Sequence, residues 1–336
     1  MKKLCFAMLT LATVASAQAP EPTGLIVGSG NFFSPIVSDL DKAIAFYRDG
    51  LGLDVQGAPA NAEQNAPLRN MFGLPDAQLR WTVARPAAMR TGVEIVEIKK
   101  AESKPAERRV QDPGAFTLIV LVRDIDAAFA KLKQVAAPIV TTGGRPVTVG
   151  RAKGFVTRDP DGHFVEVAQL NPLPETTAPE TANVIGVRVR VTVEDAGQAM
   201  RQYQALGLNG TMNVTFEKNE SLMRMFGLKD DAQYRLATMD VPTSGLKLEF
   251  IEFKGIDRKT IRANIQDPGS TRMQLQVRDV SATIDALKAA GGTVVSTGGS
   301  TVELPGRGGA TTKVAIVRDP NNLFLVLIQA APARTP

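Results

Sequence analysis

At 336 residues, with 44% hydrophobic and 22% charged positions, the chain is long enough for two domains with separate cores, and its composition excludes general disorder. The formal charge of +5 falls to +3 (5 − 2) if Lys2 and Lys3 leave with a leader, and no long basic run offers a nucleic-acid footprint. The first segment reads as such a leader: Lys2 and Lys3, an apolar run from Leu4 to Val14, then Ala15-Ser16-Ala17 with cleavage before Gln18. That run is too short to span a bilayer, and no later segment is apolar enough to do so, so a periplasmic or secreted protein is expected. Cys5, the only cysteine, would leave with the leader, and the mature chain would have no disulfide.

From Gly24 to Val37 an apolar stretch predicts a strand with Asn31, Phe32 and Phe33 near its middle. A helix follows, capped by Ser38 or Asp39, with Ala43, Ile44, Phe46, Tyr47 and Leu51 on one face and Gly52 ending it. Strands are then expected at Leu53–Val55, Leu79–Ala84 and Gly92–Ile98. After Gln111-Asp112-Pro113-Gly114 the order begins again: FTLIVLV, the helix DIDAAFAKLKQVAA, PIVTT, GFVTRD, and a strand carrying Glu166 after the turn Asp159-Pro160-Asp161-Gly162. Residues 171–184 are rich in Pro, Thr and Glu and read as a linker between a domain over 24–170 and another over 185–330, with 331–336 a frayed tail.

The second half replays the first. VEDAGQAMRQYQALGL follows SDLDKAIAFYRDGLGL, MFGLKDDAQYR follows MFGLPDAQLR, and RDPNNLFLVLIQ follows RDPDGHFVEVAQ. In that last pair Val326 stands where the first copy has Glu166, a carboxylate that needs a partner if its strand is buried.

Four βαβββ modules in two tandem pairs, with SDLDKAIAFYRDGLGL and DPDGHFVEV as signposts, resemble the vicinal oxygen chelate superfamily, which includes glyoxalase I, bleomycin-resistance proteins, extradiol dioxygenases and methylmalonyl-CoA epimerase. The resemblance implies an α+β fold of two tandem domains, each a pair of modules curling mixed sheets around a cleft. It also implies metal ligands on the first and fourth strands of each module. Counting seven residues back from Asp39 and Asp124 gives Phe32 and Thr117, and the fourth-strand positions match Glu94 and Glu166. The second domain offers Arg188, Glu249, Arg272 and Val326 at these places.

Histidine is missing from every one of these positions. His163, the only histidine, falls in the turn before Glu166 and reads as a turn residue. Two carboxylates in one cleft need a cation or a donor, so Glu94 and Glu166 either bind a divalent metal such as Mg²⁺ with waters or pair with donors such as Arg80. Arg188, Glu249 and Arg272 read as an ion cluster or a receptor for an anionic group. Met71, Phe72, Trp81, Phe33, Met225 and Phe226 read as core.

The expectation is therefore an exported protein that binds a small molecule in the cleft of its first domain without a metal cofactor. The alternatives are a metal-dependent lyase, isomerase or dioxygenase using Glu94 and Glu166, and a structural protein with degenerate clefts.

Overall fold

The computed structural model describes residues 24–61, 65–87, 89–229, 231–305 and 310–329; the leader and the tail lie outside them. Among the described residues no helix is long and apolar enough to cross a membrane.

Module one contains β1 (Ile26–Ser29), β2 (Ser34–Val37), α1 (Leu40–Ala45), the short β3 (Asp54–Val55) and β4 (Ala60–Asn61), α2 (Ala66–Met71), β5 (Gln78–Arg85) and β6 (Val93–Lys99). Module two contains β7 (Phe116–Val122), α3 (Ile125–Gln134), β8 (Val147–Val149), β9 (Ala152–Arg158) and β10 (Phe164–Leu170). Module three contains β11 (Val184–Thr192), α4 (Ala196–Ala205), β12 (Asn209–Met212), β13 (Glu217–Lys218), α5 (Glu220–Met225), β14 (Gln233–Asp240) and β15 (Lys247–Lys254). Module four contains β16 (Thr271–Val277), α6 (Val280–Ala289), β17 (Thr293–Val294), β18 (Val302–Pro305), β19 (Thr311–Arg318) and β20 (Phe324–Gln329).

The first helix of each module starts the same way, because an aspartate stands just before it. Asp39, Asp124, Asp195 and Asp279 each accept hydrogen bonds from backbone N–H groups of the first turn, which have no partner inside the helix. The apolar faces that follow, such as Leu40, Ala43 and Ile44 of α1 and Ala196, Ala199 and Tyr203 of α4, are buried. They join one large cluster with Ile95, Leu118, Phe250 and Leu275, which fills the space behind the sheets.

The modules do not pair within each half of the chain. One sheet runs β17-β19-β20-β16-β2-β6-β5-β3 and joins module four to module one; the other runs β12-β14-β15-β11-β7-β10-β9-β8 and joins module three to module two. The seams are antiparallel ladders between first strands, β16 on β2 with Arg272 opposite Ser34, and β11 on β7 with Arg188 opposite Ile119. A repeat shows that modules pair but cannot say which ones, since all four present equivalent edges.

Within each half the modules are held by contacts away from the sheets. Tyr47 of module one donates to Asp159 of module two at 3.0 Å, and Tyr203 of module three donates to Asp319 of module four at the same distance. His163, at the end of its turn as expected, lies buried beside this contact: Nδ1 meets Asp159 at 2.8 Å and Nε2 meets the Ser270 carbonyl at 3.0 Å. The linker is docked as well, Arg123 donating to the carbonyls of Ala178 and Ala182.

The strand expected over 24–37 is two strands. β1 lies against β16 with a register irregularity, and residues 30–33 cross over before β2 meets β6 and β16. Gly30 makes that crossing possible, for a Cβ there would lie 2.5 Å from the Gln274 amide oxygen.

Two candidate clefts, one open and one filled with ions

The exchange of modules separates the two carboxylates expected to share a hollow. Glu94 lies in the cleft between modules one and four, and Glu166 in the cleft between modules two and three. They do not converge, so the two-carboxylate metal site and the small-molecule site of a self-contained first domain are both corrected.

In the first cleft the alternation of β6 turns Glu94 and Val96 inward, with Ile95 on the helix-packed face. Glu94 Oε2 accepts from Gln274 Nε2 at 2.9 Å, Arg272 Nη2 at 3.1 Å and the Ser34 hydroxyl at 3.4 Å, while Oε1 accepts from Asn31 Nδ2 at 3.4 Å. Arg272 is only 1% exposed and lies 4.5 Å over the Phe72 ring, and its Nε has no acceptor among the described residues. Burial pulls the Arg272 guanidinium below its usual range, against the attraction of Glu94. Above this polar floor is a cavity of about 300 Å³ walled by Met71, Phe72, Trp81, Leu304 and Val326. Met71 and Phe72, read from the sequence as core, are buried in a hydrophobic cluster with Trp81 packed against it, and all three also wall the cavity.

The second cleft has the same plan and different chemistry. Arg190 on β11 lies between two acids, 2.5 Å from Glu166 and 2.7 Å from Glu249, and Arg188 adds a contact to Glu249 at 3.4 Å. Burial pushes the Glu166 carboxyl above the usual range, opposed by Arg190 and reinforced by Glu249; Arg190 is raised despite burial, because both acids hold its proton. Two acids and two guanidiniums sum to zero charge and occupy most of the hollow, leaving about 120 Å³.

The remaining candidates fall elsewhere. Phe32 is buried in the cluster behind the sheet and does not face the cleft, because the crossing at residues 30–33 reverses the phase assumed by counting back from Asp39. Thr117 is buried on β7, on the face it shares with Ile119 and with Arg190 opposite, so it belongs to the second cleft and not to the one that holds Glu94. Arg80 is on the helix-packed side of β5, bonded to Glu97 at 3.2 Å, and touches neither Glu94 nor Glu166. Of the first-domain set, only Glu94 faces the larger cavity. Arg272, assigned to the other domain, completes its floor.

Counting missed Arg190, Gln274 and Ser34. Alternation could have found the first two, since VRVRV sets Arg188 and Arg190 on one face and TRMQLQV does the same for Arg272 and Gln274.

Divalent metals are common in folds of the resembled kind, and these residues do not fit one. Glu94 is committed to a buried guanidinium and two amides, and in the second cleft a guanidinium already stands between the acids. Among the described residues no three His, Cys, Asp or Glu side chains group as ligands.

The sequence profile of the Glyoxalase/Bleomycin resistance protein/Dioxygenase superfamily matches residues 31–167. Among solved structures the chain is similar to glyoxalase I from Zea mays, at 18% identity over 89% of this chain and 92% of that one, with a TM-score of 0.58. It is also similar to a putative dioxygenase from Bacillus subtilis, at 12% identity over 92% of this chain and 87% of that one, with a TM-score of 0.53. No curated protein sequence matches it. At these identities the structural likeness is one of fold.

Proposed function

We infer that this chain, which belongs to the Glyoxalase/Bleomycin resistance protein/Dioxygenase superfamily, is an exported protein that binds a small, largely apolar or aromatic molecule in the cleft between its first and fourth modules. The observation that carries this reading is the contrast in free space. One cleft keeps about 300 Å³ over a hydrogen-bonding floor, within the range of small-ligand pockets, while its counterpart is closed by ions. Phe72 and Trp81 supply flat apolar surface, Arg272 supplies donors for a ligand oxygen, and Glu94 accepts from a ligand O–H or N–H. The pair is neutral as a whole, which favours an uncharged polar head over a free carboxylate.

Trp81 is the only tryptophan, so its fluorescence reports this cleft alone. Titration with aromatic and dicarbonyl compounds should give a saturable change in emission, abolished by Val326→Phe, which fills the cavity. A ligand that binds the filled variant as tightly as the natural protein would place the site elsewhere. Export is read from the leader, and the amino terminus of the secreted protein should be Gln18.

A further inference from the structure

A wide groove of about 930 Å³ lies between the loop 105–112, the turn after β9 and the loop 257–261, and shares no lining residue with either cleft. Its acids and bases are unevenly matched. Arg109 is bound to both Asp112 and Asp257, at 2.7 and 2.8 Å, and Arg258 reaches Glu194 at 3.4 Å. Arg108 and Arg158 have no carboxylate within ion-pair distance among the described residues, although both are substantially shielded from water and burial pulls both guanidiniums down. Arg158 has the Phe164 ring at 4.6 Å and a weak contact to the Arg108 carbonyl at 3.4 Å. Arg108 donates once, to the Gly269 carbonyl at 3.2 Å, and its Nε is buried without an acceptor. The Lys259 ammonium also has no partner there; only its backbone N–H is engaged, by Asp112.

The internal repeat shows which of these groups the architecture needs. Counting from the two QDPG turns, the equivalent of Arg108 is Ala263; counting from the two RDP turns, the equivalent of Arg158 is Arg318. Arg318 repeats the structural contact, donating to the Ala263 carbonyl at 2.6 Å and lying 4.5 Å over Phe324. The loop therefore forms the same way with a methyl group at that position, and the guanidinium of Arg108 is not required to build it. A shielded cation with an unused donor, absent from the sister copy, is costly without a counter-ion.

We propose that this groove is an anion site for a phosphate group, bound by Arg108 and Arg158 with Lys259 closing from the opposite loop. The donors come from three separate chain segments, which suits a tetrahedral oxyanion better than a planar carboxylate. Four acids line the groove: Asp112 and Asp257 are taken up by Arg109, although Asp112 and the nearby Asp267 still act on Arg108 through space, and two others oppose the anion. Glu107 is exposed and acts on Arg158 through space, and Asp161 is held at one oxygen by the Ser38 N–H at 3.1 Å.

Isothermal titration of the full chain with inorganic phosphate, at fixed ionic strength, tests the assignment. Saturable binding at one site is expected, weakened about tenfold or more in Arg108→Ala, the residue of the sister copy, with an unchanged melting temperature. Lys259→Ala, an exposed change with no effect on folding, should weaken it in the same direction, and Glu107→Gln should tighten it. Methyl phosphate binding as well as the free ion would identify a monoester head group as an acceptable source. No saturable heat, phosphate affinity unchanged in Arg108→Ala and Lys259→Ala, or acetate binding as tightly as phosphate would each overturn the proposal.

Discussion

The two clefts arise from one repeat, share a backbone plan, and diverge at several lining positions. Arg272 and Gln274 of the first stand where the second has Thr117 and Ile119, the second adds Arg188, and two further exchanges set the charge at the centre. Where β2 gives Ser34 opposite Glu94, β11 gives Arg190 opposite Glu249; where β10 gives Glu166, β20 gives Val326. Those exchanges move two charges and change what the hollow is for. With Arg190 between Glu166 and Glu249 the second cleft becomes an internal ion cluster, held together by the one guanidinium that both acids share. With serine and valine there, the first retains one acid, 17% exposed, with four donors around it and room above. Charge can thus narrow a site: the second cleft keeps about 120 Å³ where the first keeps about 300 Å³.

The sharpest way to break this comparison is to remove the guanidinium from each side. Arg190→Met leaves Glu166 and Glu249 buried and facing each other, and should lower unfolding free energy by about 3–5 kcal/mol. Arg272→Met leaves Glu94 with Gln274, Ser34 and Asn31, and should lower it by about 1–3 kcal/mol. Urea denaturation of both variants measures the gap; equal losses would mean that the clefts are not energetically different.

His163→Leu copies the sister turn, where Leu323 stands. His163 faces a carboxylate on one nitrogen and a carbonyl on the other, both acceptors, so the imidazolium is the form that suits the site. Burial pulls its pKa down, yet Asp159 and the Ser270 carbonyl together raise it above 6.5. Its contribution is therefore full below that value and is lost as pH rises through the higher folded value. The variant should be less stable than the natural protein at roughly pH 6, by about 1–3 kcal/mol, with the gap narrowing toward roughly pH 9. A gap that widens with pH would reverse the assigned charge state.

Glu166→Gln is milder, because Glu249 still holds Arg190. Since burial raises the Glu166 carboxyl, its contribution is present below the ordinary 4.5 and declines as pH rises through the folded value. At neutral pH the glutamine variant should differ from the natural protein by about 1 kcal/mol or less, with the balance moving toward the variant as pH rises. Denaturation curves across that interval decide it.

The smallest effect belongs to Arg80→Ala. Its partner Glu97 is buried, but Arg80 itself is 41% exposed and lies outside both clefts, so a loss below about 1 kcal/mol and an unchanged Trp81 titration are expected.

Much of the local structure could be read from residue order. The Asp-led segments DLDKAIAFY and EDAGQAMRQY are helices with aspartate caps, and both RDP turns lead into last strands. The site was less legible, for two physical reasons. Counting seven residues back from Asp39 assumes an unbroken strand, and the crossing around Gly30 turns Phe32 away while bringing Asn31 and Ser34 to Glu94. The choice of partner module depends on which first-strand edges meet across the molecule, and in a fourfold repeat the local pattern is the same for every choice.

That choice also gives the polypeptide a cyclic order. β1 and β20 lie on opposite sides of β16, so the beginning and the end of the fold are near neighbours. Joining them and opening the chain in the loop near residues 100–109 would give the order two, three, four, one, in which each sheet is built from consecutive sequence. In the natural order the sheet joining modules four and one cannot close until almost the whole chain has been made, so the shorter loop closures of the permuted chain should let it fold faster to the same architecture.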